Sequence, residues 1–388
     1  MRNKWLIAFR NISGIVSIIF FGGYVVIAVR DFMIAQQGLS GAGLSTGVDF
    51  AIMYAASKLC LIGQSYNVYD IAVHHEMLEM VLGYSKQQLL AWFYPPIFLL
   101  IVYPLALIPY DLSIILWFIL TLSLLGYAIW KITANKTMVA IALGFPGIFM
   151  NLLWGQNAFF YTFLLGTGFA VLESSPLITG MLFGMLWFKP QFAIIPYIAL
   201  VGGRYWKALL WSICFSCLYV LASLVVFGPG VWTAYLEGIN LAGQTILGDW
   251  VNVNAIQPTV YSGVRLVTSS HGLSMAVQGT VSIIIVLINL VIWSKSIGDF
   301  TMRYCISVLS IFLFAPYVMQ YDLAMLAIPL VCYAWNANTN GWLKGEFPVL
   351  VLLWLFAIAM LAVGEHHEGA DCSYSSNVSA CDGFTQDV

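Results

Sequence analysis

Apolar runs of membrane-crossing length recur along almost the whole chain, and this feature decides what it can fold into. Inside a bilayer no water bonds exposed backbone N–H and C=O groups, so each run must satisfy them internally, as a helix does. Only 8% of the residues are charged, against roughly 25% in soluble domains, and the mean hydropathy is +0.90. The 14 Trp, 20 Tyr and 25 Phe suit the aromatic belts of a polytopic membrane protein. Fifteen basic against seventeen acidic residues leave a formal charge of -2, so there is no basic field to attract nucleic acid, and no nucleic-acid partner is expected.

The first run, 12–29, follows Arg2, Lys4 and Arg10 and is too long for the core of a cleaved signal peptide. It reads as an uncleaved anchor with a cytoplasmic N-terminus, which puts residues 30–93 outside. Within that outer loop, 50–61 and 70–82 are too short to span and read as helices on the membrane surface. Further spans are expected at 112–130, 138–153, 158–172, 176–188, 191–203, 207–227, 276–294, 304–316, 323–337 and 347–364, about eleven in all. Placing Lys131, Lys136, Arg204, Lys207, Lys295, Arg303 and Lys344 in the cytoplasm makes these spans alternate consistently. Segment 94–110 spoils the parity if it crosses. Pro95, Pro96, Pro104 and Pro109 each remove a backbone donor, so a broken or re-entrant helix is the preferred reading there.

Residues 1–364 thus form one transmembrane domain, and 365–388 a polar extracytoplasmic tail. The tail holds Cys372 and Cys381, the two cysteines best placed to pair, and an Asn377-Val-Ser379 sequon. Cys214 and Cys217 have redox spacing but lie within an apolar run, where nothing activates a thiolate. Of the histidines, only His75 and Glu79 share a helical face, a weak metal signal.

On this topology the polar groups at span ends gather on the outer side: Asp49, Tyr94, Gln156, Asn157, Lys189, Gln191, Gln320, Tyr321 and Asp322. A charge in hydrocarbon costs about 2.5–3.5 kcal/mol on insertion scales, so such groups face a cavity or reach for the interface. Asp49 opens a helix after the Gly/Ser-rich stretch 38–47, either as an N-cap or as a carboxylate held at the membrane boundary for general-base work. Lys189, followed by Pro190 at a helix start, either snorkels or meets a phosphate together with free helix N–H groups. Asn157 and Asp322 can each be a helix cap or a ligand contact. Arg265, after the Trp250 loop, can pair with phosphate or with Asp249.

Several of these pieces occur together and in order: Asp49-Phe50, Tyr54-Ala55-Ala56, Tyr69-Asp70, Tyr94-Pro95-Pro96, Gly155-Gln156-Asn157, Lys189-Pro190-Gln191, Arg204-Tyr-Trp-Lys207, Ala315-Pro316 and Tyr321-Asp322. In this the chain resembles glycosyltransferase family 87 of the GT-C superfamily. The resemblance implies an all-α polytopic bundle and transfer of a sugar, with mannose the precedent, from a polyprenyl-phosphate donor to a lipid or glycan acceptor. It also implies an active site at the periplasmic face of the inner membrane and a catalytic Asp in the first outer loop, which Asp49 matches. Two departures stand out: a single acid at this point, where many GT-C enzymes have two, and Tyr321-Asp322 where mannoside-extending relatives tend to have His.

Such a transfer needs one base for the acceptor hydroxyl and positive charge for the departing phosphate, roles open to Asp49 and Lys189. With no second carboxylate paired as a nucleophile, inversion by direct displacement is the simpler course. A divalent metal, Mg or Mn, is compatible with this chemistry without being required by it. The alternatives are a carrier of lipid-linked sugar, disfavoured because the polar groups gather at one face rather than at the midplane, and a noncatalytic scaffold.

Overall fold

The computed structural model describes residues 2–36, 47–83, 91–247 and 256–360. The Gly/Ser-rich stretch before Gly47, Asp249 and the tail with Cys372, Cys381 and Asn377 lie outside the described residues. The described residues form helices and connecting turns, with no strand among them. In chain order the α-helices are α1 (Arg2–Gln36), α2 (Val48–Leu61), α3 (Ile71–Leu82), α4 (Leu99–Val102), α5 (Tyr110–Thr133), α6 (Lys136–Leu143), α7 (Pro146–Trp154) and α8 (Ala158–Ala170). They continue with α9 (Pro176–Met185), α10 (Pro190–Gly202), α11 (Trp206–Phe227), α12 (Gly230–Leu247), α13 (Val260–Thr268), α14 (His271–Ser294), α15 (Phe300–Phe314), α16 (Ala327–Asn340) and α17 (Glu346–Met360).

Four of these helices are long and apolar enough to cross a membrane: α1 through Ser13–Arg30, α5, α11 and α14. The pair α6 and α7 makes a fifth if counted as one span, bent by 60° where Gly144 and Phe145 interrupt it and Pro146 starts the second half. Of the about eleven spans expected, these four or five are long and apolar enough, among the described residues, to cross by themselves. The runs at 158–172, 176–188, 191–203 and 304–316 become helices of 13, 10, 13 and 15 residues. At 1.5 Å per residue, a 13-residue helix reaches only about 20 Å of a roughly 30 Å hydrocarbon core.

Burial differs sharply among these helices. The long helices α11 and α14 are largely exposed, with only 11% and 17% of their apolar windows buried, as suits helices that meet lipid. By contrast α8 is packed on nearly every side, with Phe159, Tyr161, Leu165 and Phe169 wholly inaccessible. Hydropathy cannot separate these classes, because a side chain facing lipid and one facing protein are equally apolar. The short helix α8 is thus an inner one, whereas the similarly short α9 and α15 each keep an exposed apolar face, as at Leu177, Ile178, Leu309 and Leu313.

Segment 94–110 is broken, as its prolines require: 3-10 turns at Pro96–Phe98 and Tyr103–Leu107 flank the single α-turn of α4. The first outer segment corrects a second expectation. Helix α2 does not lie on the surface, since Phe50, Ala51, Ala55 and Ala56 are fully buried. It is covered by α3 and by the broken segment, to which Tyr54 donates at the Ile108 carbonyl (2.8 Å) and Ser57 at the Val102 carbonyl (2.7 Å). Only α3 retains an amphipathic character, burying His74 and Leu78 against α2. Cys214 and Cys217 are exposed on α11, whereas Cys60, Cys305 and Cys332 are buried.

Candidate functional site

Four chain segments start at one place. Helices α2, α8 and α10 begin at Val48, Ala158 and Pro190, and a 3-10 turn, Gln320–Leu326, leads into α16. The groups at these starts touch one another, so the positive ends of several helix dipoles converge on one region.

Two glycines allow the closest approach. Gly47 (φ 84) precedes α2 and Gly155 (φ 73) ends α7, both in the left-handed region that favours glycine. A Cβ on Gly155 would lie 2.9 Å from the Gly47 Cα and 2.9 Å from the Phe50 Cβ. The Gly47 N–H donates to the Leu153 carbonyl at 2.9 Å, stitching the two turns together. Asp49 is consequently the second residue of α2 and not its N-cap, a position held by Gly47. The capping alternative for Asp49 gives way to a side-chain contact: Gln156 Nε2 donates to Asp49 Oδ2 at 2.9 Å.

The amide of Gln156 has its orientation fixed. Its Oε1 accepts from the Tyr94 hydroxyl (3.0 Å) and from the Asn157 N–H (3.2 Å), so Nε2 must face Asp49. Tyr94 is itself held, its carbonyl accepting from the Tyr69 hydroxyl (2.7 Å) and Trp92 Nε1 (2.9 Å) and its ring packing on Phe98. Asp49, Gln156 and Tyr94 thus form an ordered string, with the carboxylate half-buried at its end.

Lys189 does not snorkel. Its residue is 5% exposed, and Nζ donates to Asp322 Oδ1 at 2.9 Å. The ammonium sits among aromatic rings, 4.6 Å from the centroid of Tyr161, 5.2 Å from Tyr321, 5.3 Å from Phe192 and 5.9 Å from Tyr94. Asp322, wholly buried, also accepts from the Tyr161 hydroxyl on Oδ1 (2.6 Å) and from the Met319 N–H on Oδ2 (2.8 Å). It is therefore a cap of its own turn and the counter-ion of Lys189 at once. Lys189 Nζ lies 5.9 Å from the ring centroid of Tyr94, whose hydroxyl donates to Gln156, so string and ion pair belong to one site.

The expected caps and contacts sort differently at other positions. Asn157 precedes α8 without a side-chain cap bond; instead Asn151, from the preceding helix, accepts from the Ala158 N–H at 2.9 Å. The Asn157 amide is fully buried against the Tyr94 hydroxyl, and neither of its polar atoms closes a geometrically sound hydrogen bond among the described residues. Gln320, with its amide nitrogen toward α17, donates to the Met360 carbonyl (3.0 Å) and accepts from Trp154 Nε1 (3.2 Å), a structural tie. Gln191 is half-buried and makes no side-chain hydrogen bond among the described residues. Arg265 stands apart: its helix α13 packs on α14, and its guanidinium donates to the Ser269 carbonyl at the end of that helix.

Tyr161, Asn151 and Trp92 were not among the residues singled out from sequence. Tyr161 had a usable signal, since it lies one helical turn after Asn157 and so on the same face. No group of three His, Cys, Asp or Glu side chains gathers among the described residues. His75 and Glu79 do meet, at 3.3 Å, as an isolated pair. Both oxygens of Asp322 are engaged, so Asp49 is the carboxylate of this cluster that would face a divalent ion, with substrate phosphate and water as the further ligands Mg ordinarily takes.

Residues 92–316 match the family model described as glycosyltransferase family 87. The matched stretch contains Tyr94, Gln156, Asn157 and Lys189 and stops short of Asp49 and Asp322, which the fold brings against it. No curated protein and no solved structure matches the chain.

Proposed function

The chain belongs to glycosyltransferase family 87 and is a membrane glycosyltransferase; we propose that it transfers a hexose from a polyprenyl-phosphate donor to a lipid or glycan acceptor at the periplasmic face of the inner membrane, with inversion. The observation that carries this reading is the string Asp49–Gln156–Tyr94 beside the buried Lys189–Asp322 pair. Family membership also favours an enzyme over a carrier or scaffold.

Asp49 takes the acceptor hydroxyl proton as the acceptor oxygen bonds to the anomeric carbon and the bond from that carbon to the phosphate oxygen breaks. Gln156 holds Oδ2, so the carboxylate meets the hydroxyl in one orientation rather than many. The departing polyprenyl phosphate gains negative charge next to the starts of α8 and α10, whose dipoles favour it. Lys189 adds a cation already oriented by Asp322 and by the Tyr161 and Tyr321 rings, so little reorganisation is needed when charge develops. The unpaired Asn157 amide, beside Tyr94, supplies both a donor and an acceptor for a sugar hydroxyl. Apolar walls around these groups strengthen each interaction by excluding water.

The test is transfer of radiolabelled sugar from polyprenyl-phosphate mannose, then from the glucose analogue, by the purified protein in nanodiscs with a membrane-lipid extract as acceptor. Label moving into a lipid or glycan product, with inverted anomeric configuration, is the expected result. Absence of transfer from every polyprenyl-phosphate hexose, with a nucleotide sugar used instead, rejects the donor class.

A further inference from the structure

We propose that Gln278, the eighth residue of the apolar helix α14, is a positioning residue that holds the Asp322 turn, and with it Lys189, in register. A buried Gln is costly unless every polar atom is satisfied, and here all are. It is 2% exposed, and its side chain joins three helices. Oε1 accepts from the Tyr261 N–H at 2.9 Å, in the first turn of α13. Nε2 donates to the carbonyls of Leu313 (2.9 Å) and Phe314 (3.0 Å), the last two residues of α15, and lies 3.1 Å from Ser282 Oγ.

Those two carbonyls need an outside partner for a reason written in the chain. Helix α15 ends at Phe314 because Ala315, ahead of Pro316, is extended (ψ 130), so the chain turns away and the N–H groups of Tyr317 and Val318, the helical partners of these two carbonyls, no longer reach them. Gln278, with Ser282 donating to the Phe314 carbonyl at 2.7 Å, caps the helix from a neighbouring one. The chain then runs through Tyr317 to Met319, whose N–H meets Asp322. The exit direction of this short connection is thus set at Phe314 by Gln278 and at Asp322 by Tyr161 and Lys189. Further along α14, Asn289 and Trp293 bond to Ser310 and Ser307 (2.8 and 2.9 Å), so the α14 and α15 faces are locked and movement at the exit falls to the capped end.

The inference rests on the reading of Lys189 and Asp322 as part of the transfer site, and the experiment separates the two. Full-length Gln278→Leu, Tyr161→Phe and the double variant are compared in nanodiscs for kcat at saturating polyprenyl-phosphate mannose and for thermal unfolding. Each single variant is expected to lower kcat about tenfold, and the double also about tenfold rather than a hundredfold, because both loosen the same group. Ser282→Ala, which removes one bond to the same carbonyl, is the milder partner in the same cycle should Gln278→Leu fail to fold. Additive losses, or a fall in melting temperature with kcat of the folded fraction unchanged, overturn the positioning role. An active wild type whose Tyr161→Phe variant is unimpaired overturns it as well, while an inactive wild type counts against the donor reading. In that last case the unfolding cycle still decides, with additive stability losses overturning the link between Gln278 and Asp322.

Discussion

Lys189 Nζ and Asp322 Oδ1 lie 2.9 Å apart across 133 positions of sequence, both almost inaccessible to solvent. Each alone reads as a helix-end charge with an ordinary surface role. Joined, they form a buried ion pair ringed by tyrosines, in which the anion satisfies the cation and both are held by a third partner, Tyr161. The pair is electrically balanced before any substrate arrives, which lets a cation wait in an apolar interior without the full cost of a lone charge.

Breaking the pair from one side should therefore damage folding as well as function. Lys189→Met leaves the Asp322 carboxylate buried without its cation and should cost about 3–5 kcal/mol in stability, the usual penalty for orphaning one member of a buried pair. Lys189→Met combined with Asp322→Asn should recover much of that stability and no transfer. Unfolding curves of the three variants, with turnover alongside, check this; a single variant as stable as wild type contradicts the buried pairing.

Asp49→Asn should separate chemistry from structure. Asp49 is not the N-cap, and an Asn oxygen can still accept from Gln156, while loss of the favourable charge at the start of α2 costs about 0.3–1 kcal/mol. Transfer should fall by about 10²–10⁴ through loss of the base. Retention of more than about a third of wild-type turnover would be far outside that range and would remove Asp49 from the mechanism.

Tyr94→Phe removes the hydroxyl that fixes the Gln156 amide while keeping the ring against Phe98 and Lys189. The stability loss should be about 0.5–1.5 kcal/mol, that of one hydrogen bond. Turnover should drop about tenfold or more because Asp49 loses its orientation. Combining it with Asp49→Asn should add little, and fully multiplicative losses would show that Tyr94 acts on something other than Asp49.

Asn157→Leu should leave stability within about 1 kcal/mol of wild type or raise it, because the buried amide forgoes no sound hydrogen bond on removal. Transfer should nevertheless fall, seen as a raised KM for the donor. Lowered stability with unchanged kinetics would mark Asn157 as a packing residue instead.

What the sequence determined by itself is the membrane setting, the helical class, the broken segment after Tyr94 and the identity of most polar groups that matter. Each follows from local facts: run length, proline chemistry and the rarity of charge in apolar surroundings. Hydropathy could not tell the exposed α11 from the buried α8, since the same side chains serve a lipid-facing and a protein-facing surface. Nor could it choose between cap and contact for Asp49, Asn157, Lys189 and Asp322, because a residue at a helix start offers the same local options whatever lies opposite. The tertiary structure made those choices through groups distant in sequence: Gln156 opposite Asp49, Asn151 capping α8 in place of Asn157, and Asp322 opposite Lys189. Burial there forces polar groups to find partners, and which partner is within 3 Å depends on how the helices pack.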